Sequence, residues 1–491
     1  MAYPDALRTH AADTVATALR DLSPGDVVLG VAVRDAIPRG HKLALARHSV
    51  GEPVIKFGHP IGRAIREIMP GAHVHTHNLA TALGGEAQYA GSARASAMHS
   101  NGLVRTWEGY SREDGSAGTR NEIWILPTVG CVARTAQKIA ARAHALKPDG
   151  IDGIYALVHP FGCSQLGADL DGTRAILAAL AQHPNAAGVL LVGLGCESNQ
   201  LDALIERIPR EGRSRVRSVA AQAVSDELSD GVAAALELAA EAATARRTPL
   251  GLDRLVLGLK CGGSDGLSGL TANPLVGRMA DAVTGAGGSA ILTEIPEIFG
   301  AEQLLMARAA DRAVFDAIGA LVNRFKRHFL DHGEPVSENP SPGNLAGGIT
   351  TLEEKSLGAV QKGGQAVVTD VVDYGGRARQ RGLTLLEAPG NDAVSSTALS
   401  AAGAGVILFT TGRGTPLGFP APTLKIASNS DLARRKPGWI DFDAGMVLDA
   451  DMDIAAEALL DQIIAIASGE PTAAERNDER EIAIWKRGVT L

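Results

Sequence analysis

Aromatic side chains make up only 4% of this 491-residue chain, and cysteine occurs just four times. Basic charge is not in excess: 47 Lys and Arg face 55 Asp and Glu, a formal net charge of −8. That balance argues against a nucleic-acid partner, because such proteins carry a basic surface that releases counterions from phosphate. No uncharged apolar run of roughly 18 residues occurs, so no membrane-spanning helix is expected. Neither a Gly-x-Gly-x-x-Gly turn with a downstream acidic residue nor a phosphate-binding Gly-Lys-Ser/Thr loop is present, which removes the argument for a dinucleotide or nucleoside triphosphate. Met1–Asp5 is neither apolar nor basic, and four cysteines in so long a chain fit a reducing compartment rather than a disulfide framework. A cytoplasmic location is expected.

What the chain has is glycine, 57 residues of it, clustered in tight turns beside polar side chains. All four cysteines follow apolar runs at such breaks: Cys131 after Ile123–Gly130, Cys163 in His159–Gln165, Cys196 after Val189–Gly195, and Cys261 after Leu255–Lys260. These places read as strand ends, where open α/β sheets hold their ligands. The structural alternative is that each thiol only fills a core.

Residues 1–80 carry short apolar stretches separated by Pro/Gly turns, predicting a small β-rich domain, and 81–108, rich in Ala, Gly and Ser, reads as a linker. Beyond Gly109, strand-like runs at 123–129, 151–158, 188–194, 254–259, 289–293, 366–372 and 405–410 alternate with Ala-rich helical stretches at 133–146, 174–182 and 219–245. This alternation predicts an α/β fold with mostly parallel, Rossmann-like sheets in two catalytic lobes, 109–250 and 251–491.

Several segments carry chemistry. In His73–Asn78 the three imidazoles of His73, His75 and His77 alternate and share one face of an extended segment, a pattern suited to a divalent cation or to a plain solvated strand face. His159 and Cys163 flank a turn at a helix start, and Cys196 with Glu197 repeats the design; either is alternatively a capped helix. Cys261, Ser264 and Asp265, followed by Asn273, offer thiol, hydroxyl, carboxylate and amide to a polyhydroxylated ligand. Arg413, between glycines and ahead of Thr415, is placed to grip a carboxylate in bidentate fashion or to serve an internal ion pair. Glu294 and Glu297 are candidate metal ligands or bases, and Lys355 a candidate base or carboxylate partner.

Taken together, Gly40-His41-Lys42, Val54–Gly62, His73–Asn78, Gly118–Glu122, Gly195-Cys196-Glu197, Lys260–Asp265, Asn339–Asn344 and Thr411–Pro416 resemble the altronate/galactarate dehydratase family of sugar-acid hydro-lyases over nearly the whole chain. Cys163-Ser164-Gln165, Thr293–Glu302 and the C-terminal Glu475–Leu491 are similar to its altronate branch. The resemblance implies an N-terminal SAF (β-clip) domain at 1–80, a small-molecule sugar acid as substrate, and Fe²⁺ or Mn²⁺ rather than an obligatory iron–sulfur cluster. A homodimer is the expected assembly. The reaction expected on this reading is loss of water from D-altronate to 2-keto-3-deoxy-D-gluconate, and the residues singled out above supply the candidates: a metal held among His75, His77, Cys163, Cys196 and Glu197; catalysis by His159, Lys355, Arg413, Cys261 and Asp265, with His75 a further candidate acid or base; substrate contacts from Ser264, Asn273, Arg413 and Thr415. Competing readings are a galactarate dehydratase or sulfolactate-type lyase, a cysteine-ligated iron–sulfur hydro-lyase, and, in another class, a regulatory sugar-acid-binding protein.

Overall fold

The computed structural model describes residues 4–91 and 102–488. Residues 92–101 of the expected linker lie outside the described residues. Those on either side are engaged. Ala87 N donates to Asn323 Oδ1 at 3.0 Å, Tyr89 Oη donates to Glu302 Oε1 at 2.7 Å, and Thr106–Ser111 is already a strand, paired antiparallel with Thr248–Gly251.

The N-terminal domain consists of small antiparallel sheets. One joins Ala6–Leu7, Val15–Ala18, Lys42–Ala44 and His73–Val74; another joins Pro53–Lys56, His59–Ala64 and Leu79–Ala80. Tight turns at Gly40, Gly58 and Gly71, all at positive φ, let strands this short reverse.

The middle lobe is a four-stranded parallel sheet of β1 (Glu122–Pro127), β2 (Gly153–Ala156), β3 (Ala186–Gly193) and β4 (Val216–Ala220), in the order β2-β1-β3-β4. Side-chain alternation divides its core. Ile123, Ile125, Leu190 and Val192 pack with helices α1 (Ala133–Ala145) and α3 (Glu227–Ala242), whereas Trp124, Leu126, Val189 and Leu191 pack with α2 (Gly167–Leu180) and the next lobe.

That last lobe is built on seven parallel strands: β5 (Val256–Cys261), β6 (Ser289–Leu292), β7 (Val368–Val372), β8 (Gly382–Leu386), β9 (Val406–Thr411), β10 (Thr423–Ala427) and β11 (Phe442–Asp443). Their order is β7-β8-β6-β5-β9-β10-β11. Helices α4 (Ala272–Gly285), α5 (Arg312–Asp331), α6 (Leu352–Ala359), α7 (Asp392–Ala402) and α8 (Met452–Ala467) complete the lobe. Leu257, Leu259, Leu408 and Ile426 share a core with Leu275 and Met279 of α4; Ile407 and Phe409 face Ala398 and Leu399 of α7. With both faces covered, the strands read as near-continuous apolar runs. The α/β class, the β-rich N-terminal domain and the parallel sheets all agree with expectation. Among the described residues, no helix is long and apolar enough to cross a membrane.

Candidate active site

At the carboxyl ends of β5, β6, β8 and β9 the backbone opens into a cleft of about 380 Å³, lined among others by Gly262, Glu297, Asn344, Lys355, Asn391 and Asp392. β5 ends in Lys260 and Cys261, both fully buried in a charged network. Lys260 Nζ pairs with Glu294 and, at 2.9 Å, with Asp392 Oδ1. Lys362 Nζ lies 2.7 Å from Cys261 Sγ and 3.2 Å from Glu294 Oε2. Cys261 Sγ donates to Glu297 Oε2 at 3.2 Å, and Glu297 Oε1 meets Lys355 Nζ at 2.9 Å.

Glu294 follows β6 with φ at 66°, in the left-handed region. For a non-glycine residue that conformation costs roughly 1–2 kcal/mol. Here it turns the carboxylate back onto the Cys261 amide, which donates to Oε2 at 3.0 Å.

Three ammoniums (Lys260, Lys355, Lys362) thus balance three carboxylates (Glu294, Glu297, Asp392) around one thiol. Burial, then the fields of Glu294 and Glu297, push the Cys261 thiol up to about 12, so it stays protonated. Burial opposes ionisation of Glu297, but Lys355, Lys260 and Lys362 outweigh it and hold the carboxyl below its ordinary range. For Lys260, burial is outweighed by Glu294 and Asp392, which keep the ammonium above its usual value. Among the described residues, Cys261, Glu294 and Glu297 are the group of three whose ligand atoms all lie within 4.8 Å of one another, so they could hold a metal ion.

Lys355 is placed by its surroundings. Its Nζ donates to Asn339 Oδ1 at 2.9 Å and Asn344 Oδ1 at 3.0 Å, while Asn344 Nδ2 donates to Ser264 O at 2.8 Å. The preceding residue, Glu354, points the other way, into the N-terminal domain, where it meets Lys42 and Lys56, each at 2.8 Å. Lys42 Nζ also donates to Gly348 O and Thr350 Oγ1, both at 2.7 Å. Burial opposes it, yet Lys42 and Lys56 hold Glu354 down to about 2, and burial lowers Lys42 to about 8. The N-terminal domain therefore clamps α6, the helix that carries Lys355.

The expected metal set does not converge. His75 Nε2 bonds Leu345 O at 3.0 Å, His41 Nδ1 lies 3.0 Å from His73 Nε2, and His77 is exposed with its ring 5.5 Å from that of His73. This imidazole group packs behind the loop whose Ser341 and Asn344 line the cleft. Burial, followed by neighbouring histidines, lowers His73 to about 3; burial and His75 lower His41 to about 4. Cys163 and Cys196 are exposed on the middle lobe. Glu197 is consumed by Thr128 Oγ1 at 2.6 Å and the amides of Leu194 and Gly195 at 3.0 and 2.6 Å.

His159, buried on that lobe and pushed down to about 4 by burial, uses both ring nitrogens on backbone: Nε2 with Pro127 O at 2.9 Å, Nδ1 with Phe161 N at 3.2 Å. Its ring shapes a loop. Asp265 accepts from the Ser268 and Ser428 hydroxyls at 2.9 and 2.8 Å and from Asn429 Nδ2 at 3.0 Å, which leaves it a loop clamp. Asn273 ties β9 to α6 through Thr410 Oγ1 at 2.7 Å and Gly358 O at 3.0 Å. Ser264 is buried beside the cleft, and the Thr415 hydroxyl accepts from Leu417 N at 3.3 Å. Arg413, by contrast, is exposed at the rim, packed on Gly263 and Gly343, with one donor on Gly343 O at 3.2 Å. Among the described residues it has no ion-pair partner.

The sequence reading singles out Lys355, Cys261, Glu294, Glu297 and Arg413, which lie in or beside this cleft, and misses Lys260, Lys362 and Asp392 there and the Lys42, Lys56 and Glu354 cluster behind α6. A lysine within an apolar strand, as at Lys42, Lys56 and Lys260, is the signal that could have found three of them.

Sequence models of one enzyme family match the chain from end to end: the altronate/galactarate dehydratase SAF domain at residues 4–82, the D-galactarate dehydratase/altronate hydrolase second domain at 109–243, and the D-galactarate/altronate dehydratase C-terminal region at 252–490. Altronate dehydratases of Bacillus subtilis and Escherichia coli are 46% and 47% identical to it, with 99% of each chain covered. The galactarate dehydratase (L-threo-forming) of Escherichia coli is 30% identical over 94% of this chain and 93% of its own.

Proposed function

Because the chain belongs to the D-galactarate/altronate dehydratase family, we propose that it dehydrates D-altronate to 2-dehydro-3-deoxy-D-gluconate. The observation that carries this reading is the Glu297–Lys355 pair, 2.9 Å apart at the wall of the cleft. Elimination from a 2,3-dihydroxy acid needs a base for the C2 proton and an acid for the departing C3 hydroxyl. A carboxylate held ionised beside an ammonium supplies both.

Glu297 Oε1 takes the C2 proton as the C2–C3 double bond forms, and the Lys355 ammonium protonates the C3 oxygen, which leaves as water. The proton on Glu297 then passes to Lys355 across their contact, and the enol tautomerises to the 2-keto acid. Arg413, with most of its fork unused, grips the C1 carboxylate and stabilises the negative charge that builds there. Asn344 and Asn391 are at hand for the remaining hydroxyls.

The cofactor that the resemblance implies is Fe²⁺ or Mn²⁺. A thiol and two carboxylates are a donor set suited to either ion. Cys261 Sγ, Glu294 and Glu297 Oε2 would hold it, in place of the Lys362 ammonium, and it would supply Lewis acidity toward the substrate's oxygens. The histidine set offers no comparable grouping. Three exposed free thiols support a reducing, cytoplasmic setting.

Identity of 46–47% to altronate dehydratases against 30% to a galactarate dehydratase favours D-altronate over galactarate. The test is turnover of purified protein on both acids with Fe²⁺ present, read as 2-keto-3-deoxy acid formed. Preference for galactarate, or no product from either, overturns the reading.

A further inference from the structure

A second cleft, of about 780 Å³, opens at the other end of the parallel strands. Arg112 lies ahead of β1, Arg215 immediately precedes β4, and Arg377 and Arg379 sit in the loop between β7 and β8. Glu297, Asp392 and Arg413 follow β6, β8 and β9, whereas Arg112 and Arg215 precede β1 and β4, and Arg377 and Arg379 precede β8.

The arginines are anchored by carbonyls and not by acids. Arg112 donates to Pro184 O at 2.7 Å and Arg120 O at 3.1 Å, Arg215 to Ala186 O at 3.0 Å, and Arg377 to Ala179 O at 3.2 Å. Nearby Arg120 and Arg217 do pair with carboxylates, at 2.7 Å each. Among the described residues, none of Arg112, Arg215, Arg377 and Arg379 has such a partner. Acids line the same cleft without reaching ion-pair distance of these arginines: Glu241 takes Arg217 at 2.7 Å, and Asp114, which lies in the fields of Arg215 and Arg377, accepts from Ser116 N and Oγ at 2.9 and 2.6 Å. Glu113 and Glu211 are exposed. Burial, then repulsion from Arg215, lowers both Arg112 and Arg377 to about 10. Partly desolvated guanidiniums that repel one another and touch no carboxylate leave donors free for an anion that can reach them directly.

We propose that this cleft is a binding site for a phosphorylated small molecule, with its phosphate monoester seated among Arg112, Arg215 and Arg377. A phosphate monoester offers three acceptor oxygens and a charge near −2, enough to engage several guanidinium forks at once; a carboxylate offers two oxygens and a single charge. The volume exceeds what inorganic phosphate fills and leaves room for an organic body, within the roughly 300–1,000 Å³ usual for small-molecule sites. β8 joins the two clefts, since Arg377 and Arg379 precede it and Asn391 and Asp392 follow it. The ligand is accordingly an effector rather than a substrate.

Calorimetric titration and thermal melting of the full chain with D-glucose 6-phosphate, inorganic phosphate, D-glucose and citrate test the proposal. D-glucose 6-phosphate, which has no C1 carboxylate for the catalytic cleft, is expected to bind saturably and raise Tm, while D-glucose does neither. Arg215→Gln and Arg377→Gln should each weaken that binding by about tenfold or more, the loss of one charge-assisted contact. Each should also leave Tm at or above the parent value, since one repelling charge is gone, and leave D-altronate turnover without the probe unchanged. If either variant fails to fold, Arg112→Gln, at the third guanidinium of the seat, provides the same comparison. No response to the phosphorylated probe, a response indifferent to all three substitutions, or citrate binding as tightly as the phosphate ester overturns the site. Failure of the dehydratase reading shows separately, as absence of turnover in the unaltered protein.

Discussion

Lys42 of the N-terminal domain and Glu354 of α6 meet at 2.8 Å with neither side chain reaching solvent, and the residue after Glu354 is Lys355, which lines the cleft proposed as the active site. The small domain thus buttresses, from behind, the helix that carries Lys355. Removing one partner of a buried pair leaves the other charge uncompensated, at a cost of about 3–5 kcal/mol. Lys42→Met should therefore lower Tm and also release α6, so that kcat on D-altronate falls even at temperatures where the variant is folded. A folded Lys42→Met enzyme with unchanged kcat would mean that Lys355 does not depend on this clamp.

The acid–base assignment predicts a split between two substitutions. Lys355→Met removes the proton donor and the proton return path, and general acid–base groups contribute typically ~10²–10⁴-fold. Glu297→Gln keeps the shape and removes the base. Both should lose kcat on that order while a carboxylate product analogue still binds. Equal activity of Glu297→Gln and the parent enzyme would hand the C2 proton to another group lining the cleft, such as Asp392.

Below neutral pH the histidines between the N-terminal domain and the 345–346 loop should weaken the fold. His73 and His41 are held at about 3 and about 4 when folded, against an ordinary value near 6.5. As pH falls below about 6.5 the unfolded chain takes up protons that the folded chain refuses, so stability drops with falling pH until the folded values are passed. Glu354 adds a later loss: its carboxyl, held near 2, stabilises the fold above its ordinary range and ceases to as pH falls through about 2. Chemical denaturation from pH 7.5 to 4 should show a slope that His73→Asn reduces. A flat profile in the parent protein would count against the buried neutral imidazoles.

Much of the fold was legible because buried parallel strands are short apolar runs between glycine breaks, as at 123–129 and 405–410. Three of the strands missed in the two lobes hide that signal. Val216–Ala220 runs into the Ala-rich helical stretch that follows it. Thr423–Ala427 carries Lys425 at its centre, buried with its ammonium on Pro416 O at 2.5 Å. Gly382–Leu386 is short and follows an arginine-rich loop. At the site, the sequence identifies reactive residue types but not their neighbours. Alternation put His73, His75 and His77 together correctly in kind, yet His73 Nε2 is engaged with His41 Nδ1, His75 Nε2 with Leu345 O, and His77 is left exposed. His159 and Glu197 looked available because nothing local reveals that backbone amides and carbonyls from adjacent loops already occupy them. The lysine network assembles residues up to 312 positions apart, a distance that no local motif encodes.

Metal dependence can be read independently of turnover. If Fe²⁺ or Mn²⁺ enters at Cys261, Glu294 and Glu297, chelation should abolish activity and either ion restore it, while Cys261→Ala should lower the bound metal per chain together with kcat. His75→Ala and Cys163→Ala should leave the metal content unchanged. Elemental analysis showing full occupancy in Cys261→Ala, or full activity in excess chelator, would remove the ion from this cleft and leave the lysines to balance the charge alone.

Arg413 offers the sharpest test of substrate orientation. It is exposed, carries one bond to a carbonyl and has no acid partner among the described residues, so the internal ion pair that could have claimed it is not what holds it. If its fork grips the C1 carboxylate, Arg413→Lys keeps the charge but loses the planar bidentate geometry and should fail to rescue. The expected loss in kcat/KM is about 2–4 kcal/mol, the range for removing a donor to developing negative charge. Because the side chain is exposed and lies over Gly263 and Gly343, Tm should barely move. Near-parental kcat/KM in Arg413→Lys would show that a point charge suffices there, and would return the carboxylate to Lys355 and the asparagines beside it.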